Sequence, residues 1–97
     1  MVYEWNELGL TIKLPERIDT NNSADVGEKI DEIIHEREVI SLVLDADELN
    51  YISSAGLRLI LKLVKTIRNV RMINVSSDVF DIFELSGFSN IISIEKK

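Results

Sequence analysis

Hydrophobic positions change their period several times along the chain, and each change marks an element. Val2 to Trp5 alternates weakly and predicts a short edge strand ending near Asn6-Glu7, with a turn at Leu8-Gly9. Leu10 to Leu14 alternates apolar and polar, the pattern of a half-buried strand. Pro15 ends it, because proline cannot donate to a sheet ladder. So short a connection makes the two strands an antiparallel hairpin. Thr20-Asn21-Asn22-Ser23 is rich in helix-capping residues. Beyond it Val26, Ile30, Ile33 and Ile34 form one apolar stripe on a helix of about four turns. Asp25 and Glu28 in its early turns and Arg37 after its end suit the macrodipole.

Val39, Ile40, Leu42, Val43 and Leu44 are nearly continuous in apolar residues, which predicts a central strand covered on both faces. An acidic loop, Asp45-Ala46-Asp47-Glu48, leads through Leu49-Asn50-Tyr51-Ile52 to Ser53-Ser54-Ala55-Gly56. Leu57 to Arg68 is helical in pattern. Leu57, Ile60, Leu61, Val64 and Ile67 make one broad face, widened by Leu59 and Leu63, with Arg58, Lys62 and Lys65 as a basic stripe opposite. Arg71 to Val75 is a further strand. Ser76-Ser77-Asp78 caps a third helix carrying Val79, Phe80, Ile82, Phe83 and Leu85, which Gly87 closes. Ile91 to Ile94 is the last strand.

The order is ββαβαβαβ, and strands separated by helices pair in parallel. The fold class is therefore α/β: one domain over residues 1–97, a mixed, mostly parallel sheet of about four or five strands, and three helices. Function in such open sheets gathers at the carboxyl ends of the strands. The turn before Ser54 and the loop around Asp19 are both at that end.

Composition narrows the function. A chain of 97 residues, 45% hydrophobic and 29% charged, is an ordinary globular domain. A net charge of −6 disfavours unaided binding to nucleic acid or an anionic membrane. The absence of cysteine removes disulfides, a thiolate nucleophile and cysteine metal sites. No apolar run is long enough to cross a bilayer and the N-terminus lacks a basic-then-apolar leader, so a cytoplasmic protein is the expectation.

Chemistry concentrates in one place. Ser53 and Ser54 stand where the first amides of a helix lack partners and the dipole end is positive, a setting suited to a phosphate. A serine there is by itself a plain N-cap, stabilising by about 1 kcal/mol. Arg58, one turn on, opposes the macrodipole and is either a solvated arginine or a contact for a phosphate on Ser54. Gly56 allows either close backbone approach or tight packing beneath the loop. Asp19, Asp45 and Asp47 have no defined metal-ligand spacing, His35 lacks an evident partner, and Tyr3 and Trp5 are expected to pack rather than to form a binding platform. No P-loop, GxGxxG or nucleophile–base–acid set is present, so an independent enzyme is not expected, and no cofactor or metal is implied.

Val43-Leu44-Asp45 leading to Tyr51-Ile52-Ser53-Ser54-Ala55-Gly56-Leu57 resembles the signature of STAS domains, and most closely the bacterial anti-sigma factor antagonists. Leu14-Pro15-Glu16-Arg17-Ile18-Asp19 resembles that family's segment before its first helix, and Phe80-Asp81-Ile82-Phe83-Glu84-Leu85-Ser86-Gly87-Phe88 its third helix and closing glycine. The resemblance covers nearly the whole chain. It implies a partner-switching phosphoprotein in sigma-factor control, which binds an anti-sigma factor serine kinase, is released when that kinase phosphorylates it, and is reset by a PP2C-like phosphatase. Carried over by position, the acceptor is Ser54. The partner surface takes in Asp19, Ser53, Ala55, Gly56, Arg58 and Lys62. Where well-studied antagonists carry an aspartate before the acceptor this chain has Ser53, which makes Ser53 the second candidate for modification. Family members commonly continue into a fourth helix, which a chain ending at Lys97 is not expected to have. Two other functions compete: a STAS adaptor without phosphorylation, in a transporter, lipid-trafficking or signalling complex, and a nucleotide-binding STAS module.

Overall fold

The structure, a computed structural model, describes residues 1–7 and 9–97. The turn expected at Leu8-Gly9 involves Leu8, which lies outside the described residues; Gly9 itself opens the second strand. Among the described residues the strands are β1 (Tyr3–Asn6), β2 (Gly9–Lys13), β3 (Arg17–Ile18), β4 (Ser41–Asp45), β5 (Tyr51–Ile52), β6 (Asn69–Val75) and β7 (Ser93–Lys96). The helices are α1 (Ser23–Ile34), α2 (Ser54–Thr66) and α3 (Ser77–Leu85), with a 3-10 turn at Phe88–Asn90. Five strands form the main sheet in the order β1-β2-β4-β6-β7, with β1 antiparallel to β2 and the remaining pairs parallel. The mixed, mostly parallel α/β sheet with three helices is as expected. β3 and β5 are additional: they pair in parallel as a separate two-stranded sheet.

Register explains the core. Leu10 lies beside Leu42, and Ile12 beside Leu44, which lies beside Met72; all five are buried. Val26, Ile30 and Ile33 of α1, Ile60 and Leu63 of α2, and Val79 and Phe83 of α3 join them in one cluster. The intervening positions Thr11, Val43 and Arg71 line up on the opposite face. Val43 is only half-buried and Arg71 is exposed. The expectation that the central strand is covered on both faces is thus corrected. All three helices contribute to the one cluster, and β4 alternates.

One boundary moves and one strand is irregular. Ile91 and Ile92 precede the last strand rather than open it, because the 3-10 turn after Gly87 intervenes. Gly87 takes φ 81°, the left-handed conformation that ends α3, and Phe88 then turns inward to meet Phe83 edge-on at 5.4 Å. In β6 an irregularity follows Met72, and Asn74 has φ 58°. The extra residue changes the side-chain parity, so Val75 rather than Asn74 is buried in the core. Among the described residues no helix is long and apolar enough to cross a membrane.

Candidate functional site

The strands β2, β4 and β6 run parallel, so their carboxyl ends lie at one end of the sheet. There the chain continues from β2 into β3 and from β4 into β5. Backbone bonds from Asn50 N–H to the Glu16 carbonyl (2.8 Å) and from Ser53 N–H to the Ile18 carbonyl (2.9 Å) extend the small sheet at both ends. Ile18 faces Ile52 in register, so Asp19 and Ser53 leave the ladder side by side.

The two serines divide the work. Ser53 is the N-cap of α2, extended at φ −92°, ψ 176°, with its hydroxyl accepting from Gly56 N–H at 3.3 Å. Its carbonyl accepts from Leu57 N–H at 2.9 Å. Ser54 is the first helical residue and is exposed, whereas Ser53 and Ala55 are half-buried. Their N–H groups fall among the first positions of the helix, which have no intrahelical partner. Arg58 is exposed one turn further along. Lys62 reaches Asp31 of α1 at 3.8 Å.

Gly56 lies underneath. A Cβ there would stand 2.6 Å from Ile52 Cγ1, 2.9 Å from Ile18 Cγ2 and 3.0 Å from the Ile18 carbonyl oxygen. Only a residue without a side chain lets the first turn of α2 rest on the small sheet. Of the two roles the sequence allowed for Gly56, packing beneath the loop is the one seen.

Asp19 organises the adjoining turn. Its carboxylate accepts from Asn21 N–H at 2.9 Å and Asn22 N–H at 3.0 Å, and from Arg17 Nε at 3.4 Å. The Asn22 side chain turns away from α1: its oxygen accepts from Asp19 N–H and its amide nitrogen donates to the Arg17 carbonyl. Asn22 therefore occupies the cap position without a side-chain cap bond. The bond from Asn22 N–H, with those from Asn21 and Arg17, holds the Asp19 carboxyl below its ordinary pKa against the opposing effect of desolvation.

The STAS domain family profile matches residues 2–97. The chain belongs to the STAS domain family. This STAS domain is 40% identical over 57 residues to BtrV of Bordetella bronchiseptica, a candidate anti-sigma factor antagonist. That alignment takes in 55% of the chain and 49% of BtrV, so the chain spans about half the length of the curated relative it matches. A candidate anti-sigma factor antagonist from Thermotoga maritima shares the fold at TM-score 0.87 and 14% identity, over 99% of this chain and 86% of that one. Unphosphorylated SpoIIAA, an anti-sigma factor antagonist, shares it at TM-score 0.71 and 16% identity, over 99% and 87%.

In this STAS domain two residues join the site that sequence reasoning missed. Arg17 stacks on Tyr51 at 4.6 Å from the ring centroid, and Tyr51 stays 42% exposed. They sit opposite each other across β3 and β5, strands of two residues that are too short to carry a periodic signal. The other acids act locally. Asp45 accepts from Asp47 N–H and the Asn74 amide, each at 3.0 Å. Among the described residues no three acidic or histidine side chains converge as metal ligands. His35 closes α1, its Nδ1 2.6 Å from the Asp31 carbonyl. Two sizeable cavities lie away from Ser54. One of about 480 Å³ is lined by Val64, Arg68, Val70 and Ile91, and another of about 390 Å³ by Lys13, Pro15, Asn22 and Lys29.

Proposed function

We propose that this STAS domain is a cytoplasmic anti-sigma factor antagonist, switched off by phosphorylation of Ser54. The partner is an anti-sigma factor serine kinase, which transfers the γ-phosphoryl group of ATP to Ser54 Oγ. The hydroxyl proton leaves to a base on the kinase, and ADP departs. A PP2C-like phosphatase hydrolyses the ester and restores the serine. Family membership and similarity to SpoIIAA and two candidate anti-sigma factor antagonists support the role. The observation that carries the site is the division between the serines: Ser53 Oγ is engaged as the cap while the adjacent Ser54 is exposed.

The physics of the switch follows from that position. Phosphorylation adds nearly two negative charges and three acceptor oxygens. Helix N-terminal amides accommodate an anion, so the fold keeps its stability and the consequence falls on the partner. In a contact patch the dianion repels acidic neighbours and must be desolvated on binding. Asp19, Ser53, Ala55, Arg58 and Lys62 surround the acceptor in this proposal, with Gly56 shaping the turn from below.

The test is binding of wild type and two variants to the candidate kinase encoded in the same genome. Ser54→Ala binds and is not released by ATP, and Ser54→Asp folds normally yet binds poorly. Wild-type affinity in Ser54→Asp would end the switch mechanism. Unchanged assembly in every variant, with no phosphate transferred, would instead identify a constitutive STAS adaptor.

A further inference from the structure

Charge is unevenly divided along the chain. Leu49 to Ser77 contains no Asp or Glu and five cations: Arg58, Lys62, Lys65, Arg68 and Arg71. All seventeen acids and the other six cations lie elsewhere, so a net charge of −6 separates into +5 and −11. All five cations of that segment are exposed.

Their pairing is equally uneven. Lys13, Arg17, Lys29, Lys62, Arg71 and Lys97 each reach a carboxylate. Arg37 and Lys96 lie over the rings of Trp5 and Phe80. Among the described residues the cations left with neither are Arg58, Lys65 and Arg68, all on α2 or two residues past it. An unpaired cation in an acidic protein is surplus to internal neutralisation. Three of them within eleven residues make a local positive field.

The field is aligned with the serine. Ser54, Arg58, Leu61 and Lys65 recur at i, i+4, i+7 and i+11, which places them on one stripe of α2 about 16 Å long. Arg58, Leu61, Lys62, Lys65 and Thr66 line a shallow groove of about 370 Å³. Leu61, half-buried at its centre, adds an apolar contact.

We infer that this ridge of α2 docks an acidic segment of the partner protein, laid along the helix with one end at Ser54. The inference rests on the proposed function for its partner and extends it to how that partner is recognised. A compact acidic segment fits the stripe, whereas an extended polyanion would run beyond it onto a chain that carries −11 outside residues 49–77. Regulation follows from the same geometry. A phosphate on Ser54 puts a dianion at the head of the ridge, one turn from Arg58, where it competes with the partner's carboxylates for that cation.

The experiment measures binding of the full chain to the candidate kinase at 50 and 500 mM salt. The double reversal Arg58→Glu/Lys65→Glu is compared with Lys29→Glu, a reversal on the exposed side of α1. The double reversal weakens binding by about ten-fold or more at low salt, mostly through slower association, and the difference shrinks at high salt. Lys29→Glu stays within about two-fold. If wild type binds and is phosphorylated while the double reversal binds as well as wild type, the ridge is excluded and the switch stands. Equal losses in both variants would reduce the effect to net charge and overturn the ridge. A wild-type chain that neither binds nor accepts phosphate overturns the functional proposal and this one together. Self-association abolished by the double reversal, with kinase binding intact, would make a second copy the occupant and contradict the assignment.

Discussion

Two adjacent serines with one chemistry between them acquire different roles from a single backbone step. Ser53 is extended and its hydroxyl caps α2, while Ser54 has entered the helix and is exposed. Stability measurements separate them. Ser53→Ala loses the cap bond and lowers unfolding free energy by about 1 kcal/mol in urea titrations, whereas Ser54→Ala changes it by less than about 0.5 kcal/mol. Asp19 makes a second residue-scale prediction. Its folded pKa is depressed, chiefly by the Asn22 N–H bond, so its contribution is present above the unfolded carboxyl range near pH 4 and is lost as pH falls through the lower folded value. Asp19→Asn therefore flattens the loss of stability on acidification below about pH 4, as melts between neutral and acid pH will show. Both serines and Asp19 were legible as candidates in the sequence. Which serine caps was not, because that depends on where the helix begins, to within one residue.

At the scale of elements, the site depends on a glycine beneath it. The β3–β5 pair supports the first turn of α2 through Ile18 and Ile52, and Gly56 is buried against them. Gly56→Ala pushes a methyl into both isoleucines and the Ile18 carbonyl, so it destabilises the fold by about 1–3 kcal/mol in urea titrations despite alanine's better helix propensity. The long elements could be read from periodicity: the stripe of α1, the alternation of β2 and the serine-led start of α3 recur in the structure. Arg17 and Tyr51 could not, since two-residue strands have no period and their stacking joins positions far apart in sequence. The run from Val39 to Leu44 misled about its cover because apolar composition does not say how many faces are packed. Ile40 is 50% exposed, just before β4 begins.

Across the whole molecule, one end of the sheet carries the candidate site and charge separates along the chain. The core fixes where Ser54 stands, and the cation-rich α2 determines the field around it. The measurement closest to the central claim is intact-mass and peptide mass spectrometry of the full chain after incubation with ATP and the kinase-type anti-sigma factor of its own genome. One added phosphate, located on Ser54 and absent from Ser54→Ala, is the predicted result. A stable complex with no phosphate on either serine would contradict it.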